Sequence, residues 1–131
     1  MSRALAITIA AHTLLAVALG IRVALMRLNL KQGVGDGGHK ELIRAIRVHA
    51  NLVEWVPLVL LTLFAAEARG AREAWIAGLG GALFLARVAH AWGLTHSGGV
   101  SPGRRYGVLT TTAVALVAAA LAIFGGGPAG G

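Results

Sequence analysis

The chain has 131 residues, of which 56% are hydrophobic and only 13% charged, and its mean hydropathy is +0.74. A soluble domain of this size needs more polar surface than this composition supplies, so we predict an integral membrane protein. The length allows one compact bundle and leaves no room for a second domain. The absence of cysteine excludes disulfides, a thiol nucleophile and thiolate metal ligands. Any thiol chemistry must therefore use a thiol that belongs to the substrate.

The basic charge is better explained by membrane topology than by a nucleic-acid partner. A formal net charge of +7 would suggest nucleic acid if the protein were soluble. Here the 12 lysines and arginines are scattered among apolar segments with few aromatic residues between them, so we expect no nucleic-acid partner. The five histidines show no His-x-x-x-His or Glu-x-x-His spacing, and we therefore expect no metal site.

Four apolar segments are each long enough to cross most or all of a hydrocarbon core about 30 Å thick. They occupy residues 4–30, 42–66, 74–96 and 107–124. We therefore predict an all-α fold, a four-helix transmembrane bundle that forms a single domain over residues 1–124. The first segment begins like a signal peptide, but its apolar character continues without a cleavage site, which indicates a retained helix. The glycine-rich residues 125–131 predict a flexible tail.

The connections between these segments carry turn and capping signals. Residues 33–38 contain four glycines, which break the helix, and Asp36 can accept a hydrogen bond in the turn. A short charged hairpin at residues 67–73 joins the second and third segments. In the third connection, Ser101 is expected to cap the fourth helix and Pro102 to occupy its first turn.

The distribution of lysine and arginine predicts the orientation in the membrane. Eight basic residues lie in or beside the first and third connections: Arg22, Arg27, Lys31, Lys40, Arg44, Arg47, Arg104 and Arg105. The middle hairpin has two, Arg69 and Arg72. We therefore expect the first and third connections to face the cytoplasm.

A stripe of polar side chains interrupts the start of the second apolar segment. On a helix with about 100° per residue, its members fall within an arc of about 80°. They are Lys40, Arg44, Arg47, Asn51 and Glu54, and we call them the polar stripe. A charge near the bilayer centre costs about 2.5 to 3.5 kcal/mol on insertion scales, so such groups normally face a bundle interior or a wet cavity. The stripe is therefore a candidate ligand site, although Arg47 and Glu54 could instead close interhelical salt bridges that only fix packing.

Further polar groups lie in the third and fourth segments. Arg87 and His90 are three residues apart, share a helix face and could meet the polar stripe. Alternatively, His90 is a helix-end histidine near the interface. Arg104, Arg105 and Tyr106 open the fourth segment, either as a positive-inside anchor with an interfacial tyrosine or with one arginine that stabilises an anion.

Two other features of the apolar segments have structural interpretations. Gly78 and Ala82 form a pair of small residues four apart, which predicts the close approach of another helix. His12 is isolated within the first segment, and we interpret it as structural.

The spacing Arg47-x-x-x-Asn51-x-x-Glu54-x-x-Pro57 resembles the signature of the MAPEG family, the membrane-associated proteins in eicosanoid and glutathione metabolism. The resemblance covers roughly residues 28–119 and is strongest to the bacterial branch. The stretches that carry it are Gly35-Asp36-Gly37-Gly38, Ala45-Ile46-Arg47-Val48-His49, Val53-Glu54-Trp55-Val56-Pro57 and Arg87-Val88-Ala89-His90.

The resemblance implies a homotrimer of four-helix subunits in a bacterial inner membrane, with glutathione bound between neighbouring subunits near the cytoplasmic face. By matching position, Arg47, Asn51 and Glu54 would bind glutathione, with Arg87 and His90 beside it. The arginine that faces the thiol would be Arg104 or Arg105. Lipophilic small molecules would be the second substrates, reached through the membrane lipid.

Three functions stay open at this point. The first is a glutathione transferase or peroxidase, in which an arginine lowers the thiol pKa so that the thiolate attacks a lipophilic electrophile. The second is a non-catalytic protein that binds glutathione or another small anion. It is favoured by Trp55, Leu94 and Val108, which stand where family enzymes often carry tyrosine. The third is a lipid-binding or scaffold protein whose polar stripe only locks the trimer.

Overall fold

The computed structural model describes residues 1–97 and 99–125. These residues form four α-helices and no strand: α1 (Arg3–Asn29), α2 (Lys40–Ala68), α3 (Glu73–His96) and α4 (Pro102–Phe124). Each helix is long and apolar enough to cross a membrane, which confirms the predicted all-α transmembrane architecture. The largest difference in bounds is at α4, which begins five residues before the apolar segment does because its first turn is polar. Of the predicted tail, residues 126–131 lie outside the described residues.

The predicted turn and capping residues have their expected roles. The side chain of Ser101 accepts a hydrogen bond from the backbone N–H of Arg104 at 3.4 Å, and Pro102 occupies the first turn of α4. Asp36 accepts from the backbone N–H of Gly38 at 2.8 Å, within a connection where three glycines have positive φ angles. Helix α2 continues through Pro57, whose missing N–H removes one intrahelical bond without ending the helix.

The packing order of the helices determines which faces are free. Helices α1 and α4 each pack against both α2 and α3, and α2 and α3 also contact each other across the bundle. Within the described residues, α1 and α4 do not pack together. The main apolar core lies at the end of the bundle near the α2–α3 hairpin, and its buried members are Leu5, Val59, Leu63, Ala66, Ile76, Leu83, Val114 and Ala118. Eight of the 12 lysines and arginines lie in or beside the first and third connections, at the other end of the bundle.

Glycines let α3 and α4 approach each other closely at this polar end. A Cβ atom added to Gly107 would lie 2.5 Å from the Cβ atom of His90 and 2.7 Å from a backbone oxygen of α3. Gly93 and Gly103 are equally crowded, each with a heavy atom within 2.7 Å of an added Cβ atom. The first turn of α4, which carries Arg104, is therefore held tightly against α3.

Close approach of α1 and α3 occurs at a different residue from the one predicted. A Cβ atom added to Gly78 would meet nothing within 4 Å, so this member of the predicted pair makes no close approach within the subunit, whereas Ala82 packs against the apolar core. The contact is instead at Gly80, on the opposite face of α3, where an added Cβ atom would collide with the side chain of Thr8. His12 follows one turn later and is buried, with its ring Nδ1 donating to the Thr8 carbonyl at 2.7 Å, in agreement with a structural role.

We predict that Gly107→Ala destabilises the protein, because its methyl group must displace either His90 or the start of α4. Overpacking of this kind costs about 1 to 3 kcal/mol. The matched control is Gly78→Ala, which adds the same methyl group in open space and should be neutral or stabilising by up to about 1 kcal/mol through helix propensity. Thermal unfolding in detergent measures both, and equal midpoints for the two variants would contradict the packing argument.

The orientation is tested by cysteine labelling, which is clean because the chain has no native cysteine. Suitable positions are Val34, which is 87% exposed in the first connection, and Ala68, the exposed last residue of α2. In intact spheroplasts, a membrane-impermeant maleimide should label Ala68→Cys at once and Val34→Cys only after lysis, because basic residues retain the first connection in the cytoplasm. The opposite labelling pattern would reverse the orientation.

Candidate functional site

A polar cleft of about 520 Å³ opens between the first half of α2, the end of α3 and the start of α4. Its described lining consists of Lys40, Ile43, Arg44, Arg47, Asn51, Leu94 and Arg104. Four of these side chains are cations, one is an amide, and none is a carboxylate. A concave surface with one sign of charge and low-dielectric walls concentrates counter-ions, so this cleft is suited to binding an anion.

Four of the five residues of the polar stripe line this cleft, and Glu54 does not. The Oε1 atom of Glu54 lies 3.9 Å from the Nη1 atom of Arg47, and both side chains are more than half exposed. The pair is thus formed within α2 and joins no two helices. An exposed ion pair of this length contributes about 0 to 1 kcal/mol, so it does not hold the subunit together.

Arg87 connects three helices behind the cleft. Its side chain is 3% exposed, its Nη1 donates to the Oδ1 atom of Asn51 at 2.7 Å, and its Nη2 donates to the carbonyl of Gly107 at 3.1 Å. The expected meeting of Arg87 with the polar stripe is confirmed. Because a guanidinium only donates, Asn51 must turn its carbonyl oxygen toward Arg87, which leaves its amide N–H groups available to the cleft.

The charge on Arg87 has no counter-ion within residues 1–97 and 99–125, where it forms no salt bridge. Its Nε atom is also buried without a hydrogen-bond partner. A buried cation with only neutral acceptors is energetically costly, and ionisable groups inside membrane bundles are usually functional.

His90 lines a different cavity from the polar cleft, and Arg104 borders both cavities. His90 is 6% exposed and lines a second cavity of about 370 Å³ together with Val100, Arg104, Arg105, Val108 and Leu109. His90 is therefore buried in the bundle rather than placed at the helix end, but it does not line the polar cleft.

The two candidate arginines of α4 point in different directions. Arg104 lines both cavities, and its Nη1 donates to the carbonyl of Gly99 at 2.6 Å, which orients the guanidinium. Arg105 lines only the second cavity and is exposed. The difference follows from the rotation of about 100° between adjacent helical residues.

Two parts of the site were not identified from the sequence. Ile43 forms an apolar wall of the cleft, and the carbonyl of Gly107 accepts from Arg87. The glycine at position 107, directly after a basic first turn, is a signal for close helix approach that could have located this second contact.

The fold and the site together define a multi-pass membrane protein with a cationic cleft at one end of its helix bundle. The sequence profile of the MAPEG family matches residues 5–124. Inner membrane protein YecN of Escherichia coli strain K12, and the protein of the same name in Escherichia coli O6:H1, are each 37% identical to this chain over 75 residues. That match covers 56% of this chain and 56% of each relative, so it spans about half their length.

The chain belongs to the MAPEG family, as the extent of the family match establishes. It is accordingly a membrane protein of the class connected with glutathione and eicosanoid metabolism. Its four candidate spans, together with the similarity to an inner membrane protein, make it a multi-pass inner membrane protein.

We predict that Asn51→Leu lowers stability, because it removes one acceptor from the buried Arg87 guanidinium and leaves that charge poorly compensated. Hydrogen bonds to charged groups are worth about 1.5 to 3 kcal/mol, which sets the expected loss. Because Arg87→Met removes the buried charge itself, the double variant Asn51→Leu/Arg87→Met should recover part of the stability that Asn51→Leu alone loses. Unfolding midpoints of both single variants and the double variant measure the coupling. If the two losses simply add, the side chains are not coupled as described.

Proposed function

We propose that this protein binds glutathione in the polar cleft and transfers it, as the thiolate, to lipophilic electrophiles dissolved in the bilayer. The observation that carries the proposal is a cleft lined by four cations and no carboxylate among the described residues. Glutathione is an anion with carboxylates at both ends, and arginine recognises a carboxylate with two parallel hydrogen bonds. Membership of the MAPEG family supports the choice of glutathione among small anions.

The proposed binding mode assigns different side chains to the carboxylates, the peptide carbonyl and the ammonium of glutathione. Arg44 and Arg47 take the carboxylates, and the amide N–H groups of Asn51 donate to a peptide carbonyl. Glu54 lies outside the cleft lining, but its exposed ion pair with Arg47 lets it exchange that arginine for the glutathione ammonium, from which it accepts a hydrogen bond. Arg87 acts indirectly in this mode, because its hydrogen bond keeps Asn51 turned toward the ligand.

A homotrimer belongs to the same proposal and rests on the family resemblance. Arg47, which lines the cleft, and Glu54, which pairs with it, both have side chains that are more than half exposed on α2. A neighbouring subunit placed against this face would exclude water from the bound ligand, which strengthens each ion pair.

For the chemical step we assign Arg104 as the residue that stabilises the thiolate. The glutathione thiol gives its proton to water. The sulfur electron pair then forms a bond to the electrophilic carbon, and the leaving group departs with the electron pair of its own bond to that carbon. With a hydroperoxide as acceptor, the thiolate attacks the terminal oxygen, and the O–O bond breaks to release the alcohol and leave a sulfenic acid. A second glutathione thiol then displaces water from that sulfenic acid and forms the disulfide. A nearby guanidinium favours the charged form of the thiol. Arg104 suits this role because it lines the cleft, whereas Arg105 does not.

A non-catalytic glutathione-binding protein is the second candidate, and one observation favours it. The described cleft lining contains no hydroxyl group, and Leu94 occupies a wall position where a tyrosine would be typical of the family's enzymes. Thiolate formation would then depend on cationic side chains alone. The two candidates predict the same binding and different chemistry, so they are separable by experiment.

The binding test is titration calorimetry of the purified protein with glutathione, with an S-alkyl glutathione as a second ligand. We expect saturable binding that weakens by about ten-fold or more in Arg47→Gln, because a charge-assisted hydrogen bond is lost. The control is Arg69→Gln, which removes the same charge from the α2–α3 hairpin and should bind normally. If wild type binds neither ligand, the proposal fails and the scaffold interpretation replaces it.

The catalytic test compares Arg104→Ala with Arg105→Ala at saturating glutathione. Each pKa unit of thiolate stabilisation is worth about 1.36 kcal/mol and changes the thiolate population about ten-fold at a pH below the pKa. We expect the ultraviolet thiolate band and the rate with chlorodinitrobenzene to fall together in Arg104→Ala and to persist in Arg105→Ala. Binding without a thiolate band or turnover in wild type would favour the non-catalytic candidate.

A further inference from the structure

A separate groove lies between α1 and α3, away from the polar cleft, and it combines apolar walls with one charged end. Its volume is about 300 Å³. It is lined by Leu15, Arg22, Val88, Ala91, Trp92, Thr95 and His96. No residue of this groove lines the polar cleft, and α4, which carries Arg104, makes no packing contact with α1 in the described part of the chain. Neither the proposed glutathione site nor its chemistry accounts for this groove.

Arg22 is the unusual feature of the groove. Its Nη1 donates to the Oγ1 atom of Thr95 at 3.1 Å, and it forms no salt bridge with any carboxylate of the described residues. A guanidinium has five N–H donors, so a single hydroxyl leaves most of them available. A cation within a membrane-spanning helix is costly unless it is paired or reaches a polar layer. The described chain supplies no carboxylate to this charge, so its remaining donors are available to an anion from the surroundings.

The contact with Thr95 brings the guanidinium to the end of α3, where we expect the lipid headgroups of the membrane. Thr95 is the second-last residue of α3, so the side chain of Arg22 reaches the end of that helix. The Cα atom of Arg22 itself lies about 10 Å before the end of α1, at about 1.5 Å per residue. From the guanidinium, the groove extends along Leu15 and Val88 toward the bilayer centre. An amphiphile with an anionic head and an apolar chain has this distribution of polarity.

Trp92 and His96 form the outer edge of the charged end. Trp92 is 68% exposed, and its ring lies 4.1 Å from the His96 ring, centroid to centroid, at an angle of 31°. The His96 Nδ1 donates to the Trp92 carbonyl at 2.9 Å, which leaves Nε2 facing away from the helix. Tryptophan side chains favour the headgroup layer, because the ring is apolar and the N–H is polar.

We infer that the groove between α1 and α3 binds an anionic phospholipid, with the phosphate on Arg22 and Thr95 and an acyl chain along Leu15, Val88 and Trp92. Thr95 contributes by orienting the guanidinium and by offering its hydroxyl to a phosphate oxygen. The occupant is a lipid rather than a second protein copy, because the unpaired cation and the apolar channel complement a phosphate and its chain.

The test is native mass spectrometry of the full-length protein after competition between phosphatidylglycerol and phosphatidylcholine of identical chains. One basic residue near an anionic membrane surface should give about a five-fold preference for phosphatidylglycerol. Arg22→Gln should abolish this preference, and Arg22→Lys should retain much of it because the charge persists. The matched control is Arg27→Gln, which removes the same charge five residues further along α1 and should keep the preference.

Val88→Trp keeps every charge and fills the groove, so it provides a second variant if Arg22→Gln fails to fold. It should reduce retention of both lipids, because the acyl chain loses its channel. An unchanged preference in Arg22→Gln, or unchanged retention in Val88→Trp, would overturn the inference. Inorganic phosphate is the third arm of the test. If it displaces phosphatidylglycerol at millimolar concentration, the site recognises free phosphate and the lipid assignment is wrong.

Discussion

A guanidinium inside an apolar bundle must find its hydrogen-bond acceptors within the protein, and Arg87 finds them on two of the helices that pack against α3. Its bonds to Asn51 on α2 and to the Gly107 carbonyl on α4 connect three helices at one level of the bundle. The same bonds decide how Asn51 presents its amide to the polar cleft. The contact of three helices and the orientation of a cleft residue therefore depend on one side chain, whose charge has no counter-ion among the described residues.

The close contact of α3 with α4 has a similar double effect. Glycines at positions 93, 103 and 107 bring the two helices together where side chains would collide. This contact holds the first turn of α4 beside the end of α3, so Arg104 is directed toward the cleft and Leu94 becomes part of its wall. A looser contact would let Arg104 move away from the cations of α2, and the positive field of the cleft would weaken.

The cations at this end of the bundle are divided between two faces. Lys40, Arg44, Arg47 and Arg104 share the polar cleft, while Arg22 lies alone in the groove between α1 and α3. The division follows from the packing order, because α1 and α4 contact the same two helices but not each other. Under the two proposals, a soluble small anion and a lipid headgroup would thus be bound independently. The basic residues from which we predict the orientation also supply the charge of both proposed sites.

The sequence by itself determined the membrane class, the four helices and the polar stripe on α2. These features depend on composition and local periodicity, since about 30 Å of hydrocarbon requires long apolar helices whatever their packing. The caps at Ser101 and Pro102 were predictable for the same reason, because capping depends on neighbouring residues. The motif around Arg47, Asn51 and Glu54 was sufficient to indicate the MAPEG family, which the family match establishes.

Only the tertiary structure decided which polar side chains share a cavity. Periodicity placed Glu54 on the stripe, yet it lies outside the cleft, and His90 shares a face with Arg87 but lines a different cavity. The small-residue pattern of α3 likewise did not distinguish Gly78, where an added Cβ atom would lie in open space, from Gly80, which packs on Thr8. A sequence gives the direction of a side chain around its own helix, whereas its neighbours depend on the rotation and crossing of the other helices. Those quantities come from the packing of the whole bundle.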